Sequence, residues 1–214
     1  MNADGPIGVL AGSGRGAAAL VGELRARLPH EDVLSVADDG WAPWARRRGD
    51  VVARRVAELA GELAGAGAKV VVLASLQGTL DGLAAARGAA VPVIGLEPAA
   101  VVTRALAAAA GRPVTVAVAP GAVRPAQLAA VLKRVHAGGL PVVELGGELP
   151  AGVLALASAG LGEAAAAGRP FVSASAVAGE RVHRFLARER ALARRRRAGR
   201  AMAMSSFPAA AYRG

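Results

Sequence analysis

Short apolar runs without internal polar alternation recur through the first hundred residues, each followed by an amphipathic stretch. Ile7-Gly8-Val9-Leu10-Ala11 and the runs at 32–37, 69–74 and 91–96 read as strands. Between them, 17–28 places Leu20, Val21, Leu24 and Leu28 on one helical face, 51–66 does the same with Val52, Val56, Leu59 and Leu63, and 80–86 is a shorter helix. A strand buried on both faces has no period of two, and the intervening helices supply its covering layers. The pattern predicts an α/β protein of doubly wound parallel sheets. After Glu97-Pro98 the rhythm resumes, with a helix at 101–110, a strand at 114–119, a helix at 125–136 and a strand at 141–145. The Ala- and Gly-rich stretch 151–167 reads as helical, 169–175 as a strand and 177–190 as a helix. From Arg194 onward, four consecutive arginines and a segment without a periodic apolar face predict a basic disordered tail.

Composition narrows the function classes. The chain has 214 residues, 54% of them hydrophobic and 3% aromatic, so its core must be built from Ala, Val and Leu. It contains no cysteine, which excludes disulfides, thiolate metal sites and thiol catalysis. No apolar stretch is long enough to span a bilayer, and the first residues lack the basic start of a signal peptide, so a cytoplasmic location is expected. The formal charge of +10 is carried almost wholly by arginine, concentrated at Arg46-Arg47-Arg48 and between Arg181 and Arg200. No recognition helix or aromatic interleaving accompanies that charge, so a solvated basic face is expected rather than a nucleic-acid interface. His30, His136 and His183 lack ligand spacing, and no metal site or cofactor is expected.

Two places could carry chemistry. The turn Gly12-Ser13-Gly14-Arg15-Gly16 joins the first strand to the first helix, where backbone amides and the helix N-terminus favour an anion. Gly12, Gly14 and Ala17 fit a dinucleotide fingerprint, with Asp38 at the end of the second strand as a candidate ribose acid. A tight structural turn is the simpler reading. The second place is the strand 69–74 running into Ser75-Leu76-Gln77-Gly78-Thr79. Trp41 and Trp44 flank Pro43 in a loop that either covers a cleft or anchors itself to the fold. Asp38, Asp39 and Asp50 read more simply as turn and cap residues than as acid–base groups.

The order of these segments resembles glutamate racemase of the aspartate/glutamate racemase superfamily. The resemblance rests on Ile7-Gly8-Val9 and its Gly-rich turn, Leu28-Pro29-His30-Glu31-Asp32-Val33 leading to Asp38, Pro43-Trp44, the strand at 70–74, Val91-Pro92-Val93-Ile94-Gly95 and Glu97-Pro98. It implies two lobes, here 1–97 with 168–193 as the first, 98–167 as a shortened second, and 194–214 as the tail. It also implies amino-acid racemisation by two thiols, in the service of cell-wall D-glutamate supply. Ser75 stands where the resemblance places the first catalytic cysteine, and the segment carrying the second has no evident counterpart. By the same resemblance Gly12, Ser13, Gly14, Pro43, Trp44, Gln77 and Thr79 are candidate substrate-binding positions. The expectation is a racemase-like protein defective in two-thiol chemistry. The alternative is a small-anion or nucleotide-binding regulatory module using the turn 12–16. A small anionic ligand or amino acid is the expected partner, with no membrane or nucleic-acid partner and a homodimer left open.

Overall fold

The computed structural model describes residues 4–135, 140–144, 152–156, 158, 160–161, 168–193 and 198–205. The apolar runs build two parallel sheets. The first contains β1 (Ile7–Ala11), β2 (Val33–Ala37), β3 (Val70–Leu73), β4 (Val93–Ile94) and β9 (Ala201–Ser205), in the order β4-β3-β1-β2-β9. The second contains β5 (Val114–Val118), β6 (Val142–Glu144), β7 (Val153–Leu156) and β8 (Phe171–Ser173), in the order β6-β5-β7-β8. Among the described residues every pairing of these strands runs parallel, as unbroken apolar strands require.

Helices cover the sheets as the periodicity predicts. They are α1 (Gly14–Arg27), α2 (Gly49–Gly65), α3 (Leu76–Ala86), α4 (Pro98–Ala109), α5 (Pro125–Val135) and α6 (Ala174–Arg188). One large apolar cluster joins Ile7, Val9 and Ala11 of β1 to α1, α4 and α6, and continues into Val114, Val116 and Val153 of the second sheet. A second cluster packs Leu10 and Val36 against α2, together with Trp41 and Trp44. The two sheets therefore share one continuous core. The small residues that the composition forces on the chain allow close approach. Gly82 of α3 lies against Val56 of α2 so tightly that a Cβ there would meet the valine Cβ at 2.5 Å.

Each sheet reverses its strand order once, between β1 and β3 in the first and between β5 and β7 in the second. Loops leaving neighbouring strands at such a reversal diverge to opposite faces and leave a crevice at the carboxyl ends. Both crevices open on the same cleft.

Three sequence expectations are corrected. The stretch 151–167 is not simply helical, because Val153–Leu156 is a fully buried central strand of the second sheet. A short apolar run has the same appearance in a buried strand and in a buried helix. Its entry is fixed by Gly152 at φ 123°, where a Cβ would lie 2.2 Å from the Pro113 carbonyl oxygen. Next, β8 pairs with β7, so the strand expected to return to the first lobe belongs to the second sheet, and α6 makes the return by packing on α1.

Finally, the segment expected to be a disordered tail contains β9, which pairs with β2 over the register Val33↔Ala201 to Ala37↔Ser205. Acidic side chains at the base of β2 anchor it. The Arg200 amide donates to Asp32 Oδ1 at 2.7 Å, and the Gly199 amide to the Pro29 carbonyl at 2.7 Å. Beside them, buried Glu31 accepts from Lys69 Nζ at 2.6 Å and from the Ala193 amide at 2.7 Å, while Lys69 also donates to the Ala191 carbonyl at 2.8 Å. Residues 194–197 and 206–214 of the expected tail, and His136, lie outside the described residues.

Candidate functional site

The cleft between the two sheets is a cavity of about 190 Å³. The first sheet supplies the loop after β1 (Gly12, Ser13, Arg15, Gly16), the loop after β3 (Ala74, Ser75, Leu76) and the turn Ala42-Pro43-Trp44. The second sheet supplies residues 119–122 after β5, and Ser158 with Gly160 after β7. Of the positions singled out from sequence, Gly12, Ser13, Pro43, Trp44 and Ser75 line this space.

Local chemistry explains the geometry of the serines. Ser13 and Ser75 are the N-caps of α1 and α3, and their hydroxyls accept from the amides of Gly16 at 3.4 Å and Gly78 at 3.1 Å. Each hydroxyl satisfies one otherwise unpartnered amide of a helix start. Both helices thus direct their positive ends at the cleft, where an anion is favoured. Arg15 adds a full charge at the rim, its stem lying against Gly160.

Ser158 is the residue that sequence reasoning overlooked. It follows the central strand β7 as Ser75 follows β3, it is buried, and its Oγ accepts from the Ala119 amide at 3.2 Å. Two serines therefore enter one cleft, each from the end of a central strand of its own sheet. The signal was the apolar run ending at Leu156, which a strand assignment would have delivered directly to Ser158.

Other expected contributors lie elsewhere. Gln77 is fully buried and belongs to a junction between the sheets. Its side-chain nitrogen donates to Asp81 and to Gln127 Oε1, both at 2.7 Å, and its oxygen accepts from the Arg124 amide at 2.8 Å. Arg124 pairs with Asp81 and donates to the Arg47 carbonyl at 2.6 Å, and Gln127 donates to Asp81 Oδ1 at 2.8 Å. Thr79 donates to the Ser75 carbonyl at 2.9 Å and accepts from the Leu96 amide at 3.0 Å, which ties α3 to the end of the first sheet. Neither side chain lines the cleft, because the first turn of α3 directs both into protein.

The nucleotide alternative meets two obstacles. The Gly14 amide already donates to Asp39 Oδ1 at 2.9 Å, so a carboxylate of the protein occupies the anion position of the turn 12–16. Asp38, the candidate ribose acid, is buried and held by Arg55, which donates to it at 2.8 and 3.2 Å, and by the Trp44 indole at 3.1 Å. The Asp38 hydrogen bond is the main cause that raises the Arg55 pKa above the ordinary guanidinium value, against the opposing effect of burial. Among the described residues no cluster of His, Cys, Asp or Glu is suited to a metal ion, and no helix is long and apolar enough to cross a membrane.

The arrangement of paired parallel sheets with serines at both crevices can be set beside known proteins. Glutamate racemase from Pseudomonas entomophila is 37% identical over 131 residues, covering 60% of this chain and 48% of that protein. The solved structure of the Bacillus anthracis glutamate racemase isoform RacE1 superposes with a TM-score of 0.71 at 17% identity, covering 94% of this chain and 88% of that one. The chain is glutamate racemase-like. The Francisella tularensis glutamate racemase solved in complex with D-glutamate also has a TM-score of 0.71, at 16% identity, covering 97% of this racemase-like chain and 90% of that one. The sequence match spans about half the length of the curated relative from P. entomophila. No protein-family model matches.

Proposed function

We propose that this racemase-like protein binds a small carboxylate in the cleft and does not racemise it by a two-thiol route. The observation that carries the reading is the lining itself. It offers three serine hydroxyls, the start of α3 and Arg15, and among its described residues no thiol, imidazole or carboxylate.

Moving an α proton requires a group that can accept it near neutral pH on each face of the carbon. Ser75 and Ser158 lie at the ends of β3 and β7, where two such groups would have to stand. A serine hydroxyl becomes a useful base only when a neighbouring base activates it. Ser75 instead accepts from the Gly78 amide, and Ser158 from the Ala119 amide. The lining suits binding: the positive end of α3 and an arginine attract a carboxylate, and hydroxyls can both donate and accept. Glutamate is the first candidate, since the F. tularensis relative was solved with D-glutamate.

Titration calorimetry with D- and L-glutamate, aspartate and simple dicarboxylates, together with deuterium exchange at the α carbon, tests both halves. Arg15-dependent binding without exchange is expected. Exchange well above buffer, abolished by Ser75→Ala or Ser158→Ala, would overturn the proposal.

A further inference from the structure

One wall of the cleft is an aromatic ring tied to a buried ion pair. Trp44 lines the cavity, yet only 3% of its surface is exposed. Its indole N–H donates to Asp38 Oδ2, and that carboxylate is gripped at both oxygens by Arg55 from α2. Arg55 also lies over the Trp41 ring, 5.7 Å from its centroid, with Arg47 at 5.2 Å. A buried ion pair of this kind costs desolvation free energy and is weak evidence for stability alone. Here it fixes one ring. Two glycines make room for that ring. A Cβ on Gly12 would lie 3.1 Å from the indole, and one on Gly78 would lie 2.4 Å from it. These glycines belong to the loop after β1 and to the first turn of α3, so the ring packs against the two segments whose serines face the cavity.

We infer that Trp44, positioned by Asp38 and Arg55, sets the length of acid the cleft admits. The inference rests on the carboxylate reading above. The carboxylate sits toward Arg15 and the start of α3, and the rest of the ligand extends toward Trp44. A ring held by a hydrogen bond and flanked by backbone has no room to retreat, so a chain one methylene too long is excluded rather than accommodated. A methylene that a pocket cannot accept costs about tenfold or more in affinity.

The probe is the series of linear dicarboxylates from malonate to adipate, titrated calorimetrically against the full chain. Wild type should show a length cut-off, with affinity falling about tenfold or more at one added methylene. Trp44→Ala should move the cut-off at least one methylene toward longer acids. Trp44→Phe serves the same purpose should the alanine variant fail to fold. Arg55→Ala should blur the cut-off, and Arg55→Lys should restore part of it. Emission of Trp44, read alone in a Trp41→Phe background, should report the released ring in Arg55→Ala. A ring that merely packs the core would change the melting temperature in these variants and leave the length profile untouched, which would overturn the inference. Arg15→Ala separates the two levels. If wild type binds no acid, or binds independently of Arg15, the carboxylate reading fails and takes this one with it. If binding needs Arg15 but the cut-off ignores Trp44, only the length gauge fails.

Discussion

Replacing Gly78 with alanine should be costly although alanine is the better helix former. The new Cβ would stand 2.4 Å from Trp44 Cζ3 and 2.8 Å from Cε3, against an ordinary carbon–carbon contact of about 3.5–4.0 Å. The side chain that must give way is a buried ring that also packs against Gly12 and has its N–H bound to Asp38. Overpacking of this kind costs about 1–3 kcal/mol. Displacing the ring from a carboxylate acceptor adds about 1.5–3 kcal/mol. The helix gains at most about 1 kcal/mol from replacing glycine. The net loss should be about 1.5–5 kcal/mol, or about 3–20 °C in melting temperature for a chain of this length. Urea denaturation with a common m-value gives the free energy, and Trp emission reports the ring. The ring lines the cleft, so its displacement should also perturb ligand binding. A Gly78→Ala protein with unchanged stability and unchanged ligand binding would refute the packing argument, and Trp44→Ala in the same chain should recover most of the lost stability.

Ending the chain after Ala193 should cost about 2–4 kcal/mol, because it removes the packing of Met202 and Met204 and exposes the edge of β2; thermal unfolding of the truncated protein checks this, and an unchanged midpoint would make β9 dispensable. Lys69→Met leaves Glu31 buried beside an unsatisfied Ala191 carbonyl and should cost about 3–5 kcal/mol, most of it recovered when Glu31→Leu is added; a double variant no more stable than the single one would show that the pair is not the source of the loss. Gln77→Ala strips partners from Asp81, Gln127 and the Arg124 amide at once, and should lower stability by about 1–3 kcal/mol in the same denaturation assay. At low pH, the Arg104 hydrogen bond holds the Glu180 carboxyl below its ordinary 4.5. A depressed folded pKa stabilises above the unfolded value, and that contribution is lost as pH falls from 4.5 through the folded value. Arg104→Ala should therefore flatten the acid limb of the stability profile below pH 4.5 and leave its shape near neutrality unaltered.

The α/β class was legible in the sequence because burial on both faces writes a parallel strand as an unbroken apolar run. The strand–helix alternation from Ile7 to Ile94 needed nothing beyond periodicity. The loops carrying Gly12, Ser13, Pro43, Trp44 and Ser75 were legible too, since each follows or closes a recognisable element, and so was the absence of cysteine that removes thiol chemistry. Other features depended on contacts remote in sequence. Val153–Leu156 is apolar enough for either helix or strand, and only its place between β5 and β8 makes it the strand that delivers Ser158. Residues 201–205 have little apolar pattern of their own, and they become a strand because β2 offers an open edge and Asp32 and Pro29 secure the approach. Gln77 reads as a polar handle beside Ser75, yet Asp81, Arg124 and Gln127 draw it into the junction between the sheets. Local pattern fixes which segments must be buried. Which strand edge, carboxylate or ring each one meets depends on groups brought together across the whole chain, and that was decided only by the tertiary structure.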